Sequence, residues 1–210
     1  MDVIVLVSFE RDGVPRIDAA SSRALDAAFR FAEDAGLGTV AAGIGGMDCS
    51  EALSMSGAER NVLLSDPVFE KSDIGALARI FAASMGGREW IVFCGNKILT
   101  GYLSGMLGMP HLCSLAAIGN GSVGVFLNDG FSYRRRIDGP CCVHVLDSVG
   151  WPPRTSRRKA AEAFGSDDLG LGRLSVGAEG SLTVSDPVAD DSPAKRGGRA
   201  ALLGFMGACR

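Results

Sequence analysis

The sequence predicts an α/β domain: an open, mostly parallel sheet with helices on both faces, followed by an antiparallel meander and a C-terminal arm. Three observations predict it. Through residue 107, short continuous apolar runs alternate with amphipathic stretches, the grammar of strand–helix repeats. After Pro110 the runs become β-rich and are separated by Asn-Gly and Asp-Gly, which are hairpin signals. From Gly165 the chain turns to Gly, Ser, Asp and Pro with only short apolar runs. The reading therefore divides the chain into an α/β domain over 1–164 and an arm over 165–210. A disordered tail remains the plain alternative for the second part.

Taken in order, Val3–Ser8 is β-branched and unbroken, as suits a strand covered on both faces. Asp18–Glu33 spaces Ala24, Leu25, Ala28, Phe29 and Ala32 as one helical stripe, and Gly36 and Gly38 end it. Thr39–Ala42 is a second strand, leading into the turn Gly43-Ile44-Gly45-Gly46. Asp48 and Ser50 are candidate caps for a helix reaching about Met55. Asn61–Ser65 is a third strand, Ser72–Met85 a helix, Trp90–Cys94 a fourth strand and Thr100–Leu107 another helix. The meander comprises His111–Ile118, Ser122–Asn128, Phe131–Ile137 and Cys141–Leu146. Adjacent Cys141 and Cys142 point to opposite faces of the last strand.

Composition excludes several classes of protein. Lys+Arg of 21 against Asp+Glu of 24 leaves a net charge of −3, which gives no global cationic field for nucleic acid. No apolar run reaches the roughly 18–20 residues of a membrane span, and the start lacks a signal peptide's basic region. A soluble, cytoplasmic chain is expected. The six cysteines contain no CxxC pair and read as buried thiols rather than metal ligands. Neither a G-x-S-x-G elbow nor a P-loop occurs. His111 and His144 read as structural, and Arg134-Arg135-Arg136 as a solvated strand face.

In an open parallel sheet, ligands lie beyond the carboxyl ends of the strands. That rule gathers Ser8-Phe9, Gly43–Gly46 and Gly95-Asn96-Lys97 around one crevice. Glycines there let backbone N–H groups approach a ligand, and a helix opening near Thr100 can hold a phosphate. Turn geometry alone explains the same glycines equally well.

The order of segments resembles the beta (small) subunit of electron-transfer flavoproteins over nearly the whole chain. Val3–Phe9 resembles that subunit's opening strand, and Ile17-Asp18 with Arg23–Arg30 its "N-P … A-L-E-E-A-L-R" helix. Glu51–Leu64 is similar to "A-L-A-M-G-A-D-R" before the third strand. Trp90–Lys97 resembles a strand ending in "G-K-Q", and Thr100–Pro110 the "T-G … A-x-x-L-G-x-P" helix. Pro140–Val145 and Pro153-Arg154 stand where the family has "P-A-V-V-T-V" and "P-R".

The resemblance implies an adenine-nucleotide-binding, Rossmann-like domain and an electron-carrier subunit without a catalytic constellation of its own. It implies a larger alpha-type partner that holds FAD in a shared site, and a structural AMP in this chain. It also implies a dehydrogenase as electron donor and a separate acceptor, with the arm packing on the partner subunit. By the same resemblance, Ser8, Phe9 and Asp18 lie near adenine and ribose. Gly43, Gly45, Gly95, Asn96, Lys97, Thr100 and Gly101 lie near the phosphate.

This chain departs from the family at four places. Only Ile98-Leu99 separate Lys97 from Thr100, where the family carries an acidic D-x-D-x-x-Q segment. Asp18-Ala19 replaces an Asn-Pro pair, and Ile44 the residue beside the phosphate loop. Arg157, Arg158 and Lys159 stand near the position of an apolar docking anchor, with Phe164 as a displaced candidate. A stand-alone adenine-nucleotide-binding or regulatory protein on the same fold is the competing expectation.

Overall fold

The structure is a computed structural model that describes residues 1–10, 12–146, 150, 158–172 and 175–182. Among these residues one nine-stranded sheet forms the middle layer. Its strands are β1 (Asp2–Val7), β4 (Thr39–Ile44), β5 (Arg60–Leu64), β6 (Trp90–Cys94), β7 (His111–Gly119), β8 (Val123–Asn128), β9 (Phe131–Arg136), β10 (Cys141–Val145) and β11 (Ala161–Phe164). They lie in the order β11-β5-β4-β1-β6-β10-β7-β8-β9. Everything from β11 to β7 is parallel, and β8 and β9 continue as an antiparallel wing. A separate two-stranded hairpin joins β2 (Phe9–Glu10) to β3 (Arg16–Ile17).

The continuous apolar runs explain the layering. In β1, Val3, Val5 and Val7 face one side, while Ile4 and Leu6 face the other, and all five are buried. The valine side receives α1 (Ala19–Ala35) through Ala24, Leu25, Ala28, Phe31 and Ala32, together with the short α2 (Ser50–Ser54). Alanines on α1 let its axis come close to the sheet, and Phe31 meets Phe93 with ring centroids 5.6 Å apart. The opposite side receives α3 (Ile74–Ser84) and α4 (Lys97–Leu107), led by Ile80, Phe81, Leu99 and Leu103. Helices thus cover both faces, as the sequence pattern predicts.

Local boundaries have local causes. Asp18 caps α1, its carboxylate accepting from the Ser21 N–H, and Gly36 ends the helix at φ 67°. Asp73 caps α3 in the same way at Ala76. Asp48 and Ser50 make no side-chain cap bond; a 3-10 turn over Met47–Cys49 runs into α2 instead. The last parallel-face helix opens at Lys97 rather than Thr100, because Asn96 Oδ1 accepts from the N–H groups of Ile98 and Leu99, each at 3.0 Å.

Two strands depart from the sequence reading. Cys141–Val145 is not the fourth strand of a meander: β10 inserts between β6 and β7, parallel to both. All five of its residues are buried, so it needs cover on both faces, which only the sheet interior supplies. Cys141 and Cys142 do point into opposite core clusters. Residues 161–164, to which the sequence reading assigns no strand, form β11 on the outer edge of β5.

Beyond β11 the described residues fold back on their own chain. Arg79 Nε donates to the Ser175 carbonyl at 2.7 Å, and its guanidinium also reaches the Gly180 carbonyl. Gly177, in the four-residue α5 (Gly177–Gly180), donates to Ser72 Oγ, and Asp73 accepts from the Leu182 N–H. Val176 is fully buried against this face. The remainder of the predicted arm, residues 173–174 and 183–210, lies outside the described residues.

Candidate functional site

Sheet order fixes where a ligand crevice can open. From β1 the chain builds outward through β4 and β5, then crosses back so that β6 pairs with the other side of β1. The topological switch therefore falls between β1 and β6, and the crevice lies beyond their carboxyl ends. Ser8-Phe9 follows β1, Gly45-Gly46 follows β4 and Gly95-Asn96 follows β6.

On the β1 side, Ser8 is exposed, its N–H donating to Ser21 Oγ at 2.9 Å and its carbonyl accepting from Asp18 at 3.0 Å. Asp18 is occupied as the α1 cap, 2.6 Å from the Ser21 nitrogen. The half-buried Phe9 ring lies across the β4 turn. A Cβ on Gly43 would stand 2.7 Å from that ring, and one on Gly45 2.8 Å from Cys49 Sγ. At Gly95 a Cβ would stand 2.7 Å from the backbone carbon and oxygen of Ala20. Neighbouring protein atoms thus crowd all three glycines, side chains at Gly43 and Gly45 and backbone at Gly95, where the contact locks the start of α1 onto the β6–α4 turn.

The remaining predicted residues belong to α4. Asn96 is its cap, Lys97 its exposed first residue, and Thr100 is fully buried with its hydroxyl on the Asn96 carbonyl. Gly101 faces His111 on β7. The predicted set thus falls into two groups. Ser8, Phe9, Asp18, Gly43 and Gly45 gather at the ends of β1 and β4. Lys97, Thr100 and Gly101 ride on the opposite helix layer, and Gly95 with Asn96 joins the groups.

A cavity of about 680 Å³ opens where the first group meets the β5 loop, lined by Gly45, Gly46, Asp48, Asp66, Glu70 and Lys71 among others. Its size suits a mononucleoside. Its charge does not suit a phosphate, because three carboxylates face one ammonium there. Both Asp66 oxygens are engaged, with the Val68 N–H and with Ser166. The residues present fit the adenosine part of AMP better than its phosphate.

Sequence reasoning passed over the neighbours of α4. Cys113 Sγ lies 3.5 Å from Nδ1 and 3.4 Å from Nε2 of His111. Burial, and then the charge of Lys97, hold the His111 imidazole below its ordinary pKa. Beside them the Ser114 N–H donates to His144 Nδ1 at 3.1 Å. Burial pushes the Cys94 thiol up to about 11, with Asp18 adding to the rise against hydrogen bonds from Asn96 and Thr100. It pushes Cys141 and Cys142 up to about 12. A strand carrying His and Cys two positions apart was the available signal, since i and i+2 share a face.

Among the described residues no helix is long and apolar enough to cross a membrane, and no three His, Cys, Asp or Glu converge as metal ligands. Of the predicted docking position at Arg157, Arg158 and Lys159, Arg157 lies outside the described residues, as does Arg154 before it. Arg158 pairs with Glu51 at 3.1 Å, and Phe164 is half-buried in β11 against the α3 side of the core. Comparison with protein-family models and with curated proteins finds no match to this chain.

Proposed function

We propose that this chain is the smaller subunit of an electron-transfer flavoprotein-like pair in the cytoplasm. A larger alpha-type subunit holds FAD, this chain walls one side of the shared site, and electrons pass from a dehydrogenase to an acceptor. One observation carries the reading. The segments that resemble the beta subunit coincide, in order, with β1, α1, α2–β5, β6 and α4 of a single doubly wound sheet. Their turn residues fall at the strand ends beside the switch point. The β8–β9 wing offers the partner an open surface, with Phe131 78% exposed and Tyr133 43% exposed beside Arg134, Arg135 and Arg136.

A second reading has its own support. The cavity beside Gly45 and Gly46 is formed by this chain alone, so a mononucleoside needs no partner to bind there. On that reading the protein is a stand-alone adenine-nucleotide-binding or regulatory module. Co-expression with a neighbouring larger flavoprotein subunit, followed by a visible spectrum of the purified material, separates the two. The electron-carrier reading expects a yellow complex of both chains and a colourless isolated chain. A colourless chain that ignores the larger subunit and binds adenosine or AMP supports the second.

A further inference from the structure

Cys113 stands apart from the other cysteines among the described residues. Cys49, Cys94, Cys141 and Cys142 are buried, whereas Cys113 is half-exposed. Its near-equal distances to the two His111 nitrogens put the sulfur over the ring, within reach of a nitrogen once the imidazole turns its edge toward the thiol. Burial and then the charge of Lys97 favour the neutral form of the His111 imidazole, which carries one acceptor nitrogen. Across from it lies α4, where a Cβ on Gly101 would stand in van der Waals contact with the imidazole, 3.5 Å from Cε1. Lys97, exposed, precedes Gly101 by one turn on that same helix face, and its charge acts on His111. Ser114, at φ 62°, bonds back to His144 beside a register shift between β7 and β10, which fixes the strand just past Cys113.

We propose that Cys113 is a nucleophilic thiol, served by His111 as base, that forms mixed disulfides with small carboxylate-bearing disulfides recognised by Lys97. Such a site goes beyond the electron-carrier reading and needs neither the flavin nor the larger subunit. In the step, His111 takes the Sγ proton while Sγ attacks one sulfur of the incoming disulfide. One S–S bond forms as the other breaks. Cys113 is oxidised to the mixed disulfide, and the departing sulfur, reduced to a thiolate, recovers the proton from His111.

The test uses the full chain with Cys209→Ser, which removes the cysteine outside the described residues. Its reaction with Ellman's reagent, and separately with oxidised glutathione, is followed at pH 7, and the modified site is located by peptide mass. The proposal expects Cys113 to react first, and faster than the same cysteine in urea-unfolded chain. His111→Asn should slow the native reaction about tenfold or more. Lys97→Gln should slow these anionic reagents several-fold and leave a neutral dialkyl disulfide unaffected. A native Cys113 no faster than the unfolded one would overturn the proposal even if a variant failed to fold. An unchanged rate in folded His111→Asn would overturn the role of the base. An equal effect of Lys97→Gln on charged and neutral reagents would overturn recognition by charge.

Discussion

Replacing Gly95 by alanine adds one methyl group at the point where the β6–α4 turn meets α1. The new Cβ would stand 2.7 Å from the carbon and oxygen of the Ala20 backbone and 2.8 Å from its Cβ. Those atoms open a seventeen-residue helix already capped by Asp18, so they cannot swing aside as a flexible side chain would. Overpacking of this kind costs about 1–3 kcal/mol. Against it stands a gain of about 0.4–1 kcal/mol from restricting the unfolded chain. The net expectation is a loss of about 1–2 kcal/mol. Gly105, in the same α4, supplies the contrast: it is exposed, and nothing lies within 4 Å of a Cβ there. Gly105→Ala should stabilise by about 0.5–1 kcal/mol. Urea unfolding followed by far-UV circular dichroism reads both. With a slope of about 2 kcal/mol/M, the midpoint should fall by roughly 0.5–1 M for Gly95→Ala and rise by about half that for Gly105→Ala. A Gly95→Ala midpoint at or above that of the parent protein, at unchanged slope, would refute the claim that this glycine is there for close approach.

Asp18→Ala should cost about 1 kcal/mol in the same assay, since it removes the carboxylate that caps α1, and Asp18→Asn should recover most of the loss. Stability should also fall at alkaline pH. Cys141 and Cys142 are pushed from an ordinary 9 to about 12, and Cys94 to about 11, so the unfolded chain releases these protons at lower pH than the folded one. Stability from these thiols is complete below about pH 9 and is lost as pH rises through the folded values. Urea midpoints between pH 8.5 and 10.5 should decline less steeply for Cys142→Ala than for the parent.

What could be read from the sequence follows from what is local. The strand–helix alternation through residue 107 is encoded by continuous runs such as Val3–Val7 and stripes such as Ala24–Ala32, and the structure has the layers they predict. The place of β10 was not legible, because its neighbours β6 and β7 are set by long-range pairing; only the lack of alternation in Cys141–Val145 hinted at an interior position. Phe164 closes β11 against β5, a partner one hundred residues earlier in the chain. At the crevice the glycines were legible, but their reasons were not. Phe9 and Ala20 press on Gly43 and Gly95 from elements distant in sequence. The pairing of His111 with Cys113 needed only strand periodicity, yet its setting beneath Lys97 required the helix above it.

The late insertion of β10 has a consequence for how the chain acquires its fold. During synthesis β6 and β7 emerge before the strand that must lie between them, and the whole β8–β9 wing is made before residue 141 appears. Until then the growing sheet has an open edge at β6, and the wing is tied to it only through the connection that carries α4. Such a topology raises contact order and slows folding, and it keeps two hydrogen-bonding edges exposed to other chains in the interim. Cys141–Val145 is thus the keystone by arrival as well as by position, and a nascent chain lacking it holds two half-sheets rather than one.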